Sequence, residues 1–465
     1  MVGDYLSVID EKRELLRGAA DFIWEHPETA FLERESAGFL CAALRAEGFE
    51  VEEGLAGIPT AFSGRFGSGK PVVGILGEFD ALSGLGQEAL ASEPRPNGKA
   101  CGHGCGHNLL GAASLGAAIA VKRYLETSGS PGTVVYFGCP GEEGGSGKTF
   151  MVRDGVFDGL DAAVSWHPDD ETGVRTKNSL ANCQTLYKFT GKAAHAAIKP
   201  QLGRSALDAV ELMNVGANFL REHIIPEARL HYAITDAGGF SPNVVQPHAE
   251  ALYLVRAPHI AEALEISERV NDIARGAALM TGTREEHEFI KACSEMLLNT
   301  ALSRLMYEKM LELGAPEITE SELEFARDFT ATALANVPGA DPENPIRAEI
   351  KPYIPGEATQ NFGSSDVGDV SWICPTVQCA AATWVRGTPG HSWQAAAQGK
   401  SPLAYKMSAY AAKVMAATAV GIITEPELLA AAWEEHRAKT GGGYVCPIPE
   451  GVRPRAVNAP RGETR

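Results

Sequence analysis

Hydrophobic positions in this chain change period several times, and the changes outline a layered α/β protein with an insert. Between Asp4 and His26, Leu15, Leu16, Ala19, Phe22 and Ile23 recur near helical spacing until Pro27 stops the pattern, which predicts an amphipathic helix. A second helix is expected from Glu33 to Gly48. An unbroken apolar run, Pro71 to Gly77, then leads into Glu78-Phe79-Asp80 and reads as a buried strand. Residues 85–99, rich in Gly, Pro, Ser and Glu, read as an exposed loop. Small and apolar residues such as Gly111, Ala112, Ala113 and Ala117 make Leu109 to Glu126 a helix able to pack closely on a sheet. Strands are predicted at Thr133 to Phe137 and Ala162 to Trp166, and this alternation of strand and helix is the mark of an α/β layer.

After Cys183 the character shifts to β-branched and aromatic residues, beginning with Leu186-Tyr187-Lys188-Phe189-Thr190. A helix from Ser205 to Glu222, strands at Leu230 to Thr235 and Ala249 to Arg256, a helix from Ala261 to Met280 and a strand near Thr283 to Ile290 complete a β-α-β-β-α-β order. That order is ferredoxin-like. Residues 184–292 are therefore expected to form an inserted α+β domain, with 1–183 and 293–440 making a discontinuous main domain. Within the latter, Glu295 to Leu313 reads as a helix, Glu317 to Pro355 is acidic and Pro-containing without clear period, and the layer resumes near Gly363. A long helix from Ser401 to Ala416 is expected to close it. Residues 441–465 hold several Pro and Arg and read as an arm or a disordered tail. No internal repeat is evident.

At 465 residues the chain is long enough for two domains. Acidic residues outnumber basic ones 59 to 41, for a net charge of −18, and no Lys/Arg cluster stands out, which argues against nucleic acid or an anionic membrane as partner. The first residues lack a charged-then-apolar signal pattern and no run of 18 apolar residues occurs, so a cytoplasmic protein is expected. Nine scattered cysteines, an odd number on a long chain, do not describe a disulfide scaffold.

The chemistry concentrates in Cys105-Gly106-His107-Asn108, Gly141-Glu142-Glu143-Gly144 and Ser165-Trp166-His167-Pro168. A thiolate, two imidazoles and paired carboxylates at successive strand ends are what a metal site requires, because open α/β sheets gather ligands at the carboxyl ends of their strands. Cys105, His107, Glu143, His167 and the later His391 offer more donors than one tetrahedral ion takes; they suit two ions sharing a bridge. Adjacent Glu142 and Glu143 diverge in an extended or tight-turn segment, one towards metal and one towards substrate or water. Two other motifs fail. Gly141 to Gly147 before Lys148-Thr149 is one residue too long for a phosphate loop and carries two carboxylates that would repel phosphate. The alternating Cys101, His103, Cys105 and His107 do not match the spacing of a closed structural zinc site. Neither H-E-x-x-H nor a strand-bound G-x-S-x-G is present.

Five segments together resemble the amidohydrolase branch of the dinuclear aminoacylase/carboxypeptidase metallopeptidase family: Trp24-Glu25-His26-Pro27-Glu28, Gly77 to Leu82, Gly104 to Gly111, Gly138 to Gly145, and Gly387-Thr388-Pro389-Gly390-His391-Ser392. The likeness spans nearly the whole chain. It implies a mixed-sheet, zinc-exopeptidase-like catalytic domain carrying an inserted ferredoxin-like dimerisation (lid) domain. It further implies Cys105, His107, Glu143, His167 and His391 as ligands to two divalent ions, Mn²⁺ or Zn²⁺, with Glu142 as general base and Asp80 orienting the ligands. On this resemblance Cys105, rather than Cys101, takes the thiolate position, because its Cys-Gly-His leads into the small-residue helix that the family places there. His195, in Ala194-His195-Ala196-Ala197, resembles the residue that polarises the scissile carbonyl across a dimer, and Asn243 and Arg256 resemble the pair that grips the substrate carboxylate.

The activity so implied is hydrolysis of an N-acyl or N-aroyl amino acid, an aroyl glutamate first among them, by a metal-activated water. Dipeptide cleavage is the alternative within the same chemistry. The expected assembly is a homodimer or higher oligomer, or a heteromer with a related subunit. Because the likeness extends to one subunit of a two-subunit enzyme, a non-catalytic role is a further alternative, opposed by the intact Glu142, Cys105 and His391. Three features depart from the family pattern: Asn108 where the branch usually has Asp, Glu78 where many relatives have Asp or His, and a longer stretch from about 295 to 362.

Overall fold

The computed structural model describes residues 5–355, 359–360, 362–441 and 443–457. Its central layer is a seven-stranded mixed sheet in the order Glu50–Glu53, Phe62–Ser68, Gly132–Cys139, Val72–Glu78, Ala162–Asp169, Thr376–Ala382 and Gly173–Val174. The four strands Gly132–Cys139, Val72–Glu78, Ala162–Asp169 and Thr376–Ala382 run parallel, and antiparallel strands close both edges. Val72–Glu78 and Gly132–Cys139 are buried at every position, as expected of parallel strands covered on both faces. Helices His107–Ser128 and Pro402–Thr424 pack against each other and onto this sheet. Pro402–Thr424 is apolar and long enough to cross a membrane, but 83% of its most apolar window is buried inside the protein, where it serves as a core helix.

Residues Ala181 to Cys293 form a second, four-stranded antiparallel sheet in the order Arg229–Asp236, His248–Ala257, Ala181–Thr190, Arg284–Cys293. Helices Ala206–Leu220 and Ile260–Thr281 cover one face, where Cys183, Tyr187, Ala251, Tyr253 and Val255 pack with Ala209, Met213, Val270 and Ala274. The ferredoxin-like order anticipated from the sequence is the observed one.

Several local expectations change. The first predicted helix is two, Ser7–Glu11 and Arg13–Glu25, broken at Lys12 (φ −93°, ψ 14°); Asp4 lies outside the described residues. The helix expected from Glu295 starts only at Thr300, where the Asn299 side chain accepts from Leu302 N–H. Within the stretch read as aperiodic, Glu320–Thr332 is a helix whose Thr319/Glu322 capping box sets its start. The closing helix runs on to Thr424 and is followed by a further helix, Pro426–Thr440. Of the tail, residues 443–457 pack against the body: Tyr444 Oη donates to Asp369 (2.7 Å), Arg455 pairs with Glu288 (2.6 Å) and Ile448 is buried, while 458–465 lie outside the described residues.

Candidate metal centre

Parallel neighbouring strands end side by side, and the segments after them carry the donors. Val72–Glu78 delivers Glu78 and Asp80, Gly132–Cys139 leads into Glu142 and Glu143, and Ala162–Asp169 contains His167. Cys105 and His107 arrive at the start of helix His107–Ser128. Gly106 precedes that helix with φ +76°, and a β-carbon there would run into Pro168, so the tight entry needs glycine.

Three overlapping groups of donor atoms result, each with its atoms within 4.8 Å of one another: Cys105, His107 and His167; Cys105, Glu143 and His391; Glu78, His107 and Glu142. Cys105 Sγ is 3.5 Å from His167 Nε2, and His391 Nε2 is 3.3 Å from Glu143 Oε2. His107 Nδ1 lies 2.9 Å from Asp80 Oδ1, whose other oxygen accepts from Glu143 N–H at 2.9 Å, so Asp80 fixes an imidazole and a carboxylate at once. That leaves His107 Nε2 and Glu143 Oε1 buried without a hydrogen-bond partner, an arrangement a cation resolves. His391 adopts φ +55°, an uncommon conformation for histidine, and its N–H is held by Gly104 O at 3.0 Å, next to Cys105.

The electrostatics divide the two glutamates. Burial and the charges of Glu78, Glu143 and Asp366 raise Glu142 to about 8. Burial acts in the same sense on Glu143, but hydrogen bonds and charge from His391 and His107 outweigh it and hold that carboxyl at about 2. His103 is a different case: burial first, then the neighbouring His107, lowers it to about 4, and its Nε2 meets Ile23 O at 2.9 Å. It is a structural histidine. Asn108 donates to Gly399 O (3.0 Å) and Ala20 O (3.3 Å), bonds that an aspartate carboxylate could not donate.

Residues to which sequence reasoning gave no role in the site complete the setting. Glu78 Oε2 stands 3.4 Å from His107 Nε2; its signal was a carboxylate ending an otherwise apolar strand. Lys148, fully buried, bridges Glu78 (2.7 Å) and Asp366 (2.5 Å), so the lysine of the pseudo-phosphate loop is consumed by carboxylates. Glu33, also buried, accepts from Gly141 N–H and Phe31 N–H (each 2.9 Å) and from Thr60 Oγ1 (2.9 Å). It thereby clamps the loop bearing Glu142. Gly141 itself has φ +71°, and a β-carbon there would strike the Phe31 ring.

His195, Asn243 and Arg256 do not join the donors. His195 and Asn243 are adjacent and away from the core, with Ala196 N–H donating to Asn243 O at 2.9 Å. Arg256 is separated from them by the length of the ten-residue strand His248–Ala257 and donates instead to Ser364 Oγ at 2.8 Å. The expected carboxylate-gripping pair therefore does not converge within one chain.

Thiol, imidazole and carboxylate donors clustered at the ends of parallel strands, in a chain that also carries a ferredoxin-like insert, define a metal-dependent hydrolase of amide bonds. The chain belongs to peptidase family M20/M25/M40, whose pattern matches residues 74–340. It is 49% identical to one of the subunits of the p-aminobenzoyl-glutamate hydrolase of Escherichia coli (strain K12) over 471 aligned residues, covering 96% of this chain and 97% of that protein. With the Xaa-Arg dipeptidase of Mus musculus it shares 28% identity, over 93% of this chain and 91% of the relative. The crystal structure of an aminobenzoyl-glutamate utilization protein from Klebsiella pneumoniae superposes with a TM-score of 0.57 at 19% identity, covering 88% of this chain and 98% of that one, and so shares the fold.

Proposed function

We propose that the protein hydrolyses the amide of an N-acyl or N-aroyl amino acid, with an aroyl glutamate as the first substrate to test. The three overlapping donor groups, with Glu142 beside them, carry the reading. Cys105, His107, Glu143, His167 and His391 would hold two divalent ions; the thiolate favours Zn²⁺ and the carboxylates admit Mn²⁺. When bound, such ions polarise the scissile carbonyl and acidify water. Glu142 takes the proton of the attacking water and returns it to the departing nitrogen. Asp80 accepts a hydrogen bond from His107 Nδ1–H and so presents Nε2 as a lone-pair donor. Arg256 grips the carboxylate of the released amino acid through its planar fork.

His195 and Asn243, distant from these groups in their own chain, serve the site of a second subunit. What supports this is an exposed apolar surface on the same insert: Leu212, Val215 and Phe219 line one exposed face of helix Ala206–Leu220, and Tyr232 and Ile234 are exposed on the edge strand Arg229–Asp236. Apolar helix faces and open strand edges of this kind mark protein contacts. We assign 184–292 as the dimerisation insert on that basis, and the cysteines, which form no disulfide among the described residues, suit a cytoplasmic location. The E. coli relative is named as one subunit of a hydrolase, which makes a heteromer with a related chain the second assembly to test.

The deciding experiment measures metal content and turnover of the purified chain on N-acyl amino acids and dipeptides, with Glu142→Gln as control. About two ions per chain and turnover that collapses in Glu142→Gln support the reading. Metal binding without cleavage of any panel member, even with a candidate partner subunit added, overturns it.

A further inference from the structure

A cavity of about 530 Å³ opens among the helices of the main domain, and none of the thiol, imidazole or carboxylate donors of the metal centre lines it. Helices Arg13–Glu25, His107–Ser128 and Pro402–Thr424 supply most of its walls. Leu16, Ala20, Leu109, Ala112 and Ala113, all buried, give it an apolar floor. Small-molecule sites have this size and this make-up, an apolar lining with a few polar groups that fix orientation.

The charged groups of the lining are mostly of one sign. Four of the five are cations, Arg13, Arg17, Lys406 and Lys413, against Asp10, in a chain whose net charge is −18. Arg13 and Arg17 stand about one turn apart on one helix, Lys406 and Lys413 about two turns apart on another, so each pair shares a helix face. This placement does not serve the helices. Arg13 occupies the first position of its helix, where the dipole disfavours a cation, and like charges four residues apart repel.

Lys413 pairs with Asp10 (2.8 Å) and Lys406 with Glu322 (2.5 Å). Arg17 is held more loosely, 3.7 Å from Asp21 and over the Tyr405 ring, while Arg13 is exposed and forms no ion pair among the described residues. The hydroxyls of the lining are already engaged: Tyr405 donates to Asp21, Tyr410 to Met310 O (3.3 Å) and Ser408 to Ala404 O (2.6 Å). The two guanidinium groups therefore carry the side-chain donors left for a ligand, and they select an anion.

We propose that this cavity is a second ligand site, separate from the metal centre, for a carboxylic acid with an apolar body, aliphatic or aromatic. The body lies on the floor of Leu16, Leu109 and Ala113, and the carboxylate meets Arg13 and Arg17, whose planar forks suit it. The site stands independently of the amidohydrolase reading.

Calorimetry of the metal-loaded protein with octanoate and with benzoate, each against its neutral counterpart octan-1-ol or benzyl alcohol, tests this. At least one acid is expected to bind with a Kd on the order of 1 mM or tighter, and its alcohol about fivefold or more weakly. Arg13→Glu should weaken that acid about fivefold or more without lowering the melting temperature, because the side chain is exposed and a carboxylate suits a helix start. Ala409→Phe, on the cavity wall, should abolish the binding by filling the space. An acid held instead by ions at the metal centre would be indifferent to both substitutions. No saturable binding of either acid, an alcohol or an Arg13→Glu variant that falls short of the expected loss, or binding that persists in folded Ala409→Phe overturns the site. If Ala409→Phe does not fold, Arg13→Glu decides alone. The acid that binds more tightly distinguishes an aliphatic from an aromatic occupant.

Discussion

Asp80 touches neither solvent nor any exposed surface, yet it holds both His107 and the Glu143 backbone. Replacing it with asparagine keeps the shape but removes the charge that orients the imidazole, so Asp80→Asn is expected to weaken metal affinity about 10–100-fold. Titration with a chelator as competitor measures this. Glu142→Gln should behave in the opposite way: metal content stays at the wild-type value, while kcat falls by about 10²–10⁴ as the proton acceptor is lost. Loss of metal in that variant would recast Glu142 as a ligand. Cys105, His107, Glu143 and His391 were readable from the sequence because each stands in a short segment whose glycines announce a turn, and His167 because it closes an apolar strand. Glu78 was harder, since a single acidic residue closing an apolar strand looks the same whether it meets His107 or water.

Two clamps act on the loop and short helix that follow strand Gly132–Cys139. Glu33 reaches across from the start of helix Arg34–Ala46 to the Gly141 N–H, and removing its carboxylate strands the donors of Gly141, Phe31 and Thr60. Glu33→Ala is expected to lose about 1–3 kcal/mol of stability for these unmade bonds, read as a lower denaturant midpoint. Because the same loop bears Glu142, turnover should fall with it. Lys148 ties helix Gly147–Arg153 to Glu78 and Asp366, and Lys148→Met leaves two buried carboxylates unpaired, at about 3–5 kcal/mol by analogy with broken buried pairs. Calorimetric melting checks this. Neither clamp was legible beforehand: Glu33 and Lys148 lie far in sequence from the groups they hold, and pairing across such distances leaves no periodic trace. The helix Glu320–Thr332 was missed for a different reason, its Thr319/Glu322 capping box being a clear start signal obscured by the acidic, Pro-containing sequence around it.

For the whole molecule, the separation of His195 and Asn243 from the donors makes an active site of one chain incomplete on the proposed reading. Phe219→Asp, placed on the exposed apolar face of helix Ala206–Leu220, should yield monomers by sedimentation and abolish turnover without unfolding the chain. Mixing inactive His195→Ala with inactive Glu142→Gln should restore activity, to about a quarter of wild type if subunits of a two-fold dimer reassort at random. No recovery after verified subunit exchange would place His195 outside the site. By itself the sequence determined the α/β layer and the β-α-β-β-α-β order of the insert, and it pointed to most of the thiol, imidazole and carboxylate groups that the fold gathers, because periodicity and turn chemistry are local and these groups sit near strand ends. The tertiary structure alone decided which donors share neighbours, which buried charges hold the loops, and which side of the insert each of His195, Asn243 and Arg256 occupies. Those depend on contacts between segments tens to hundreds of residues apart, fixed only when the sheets pack.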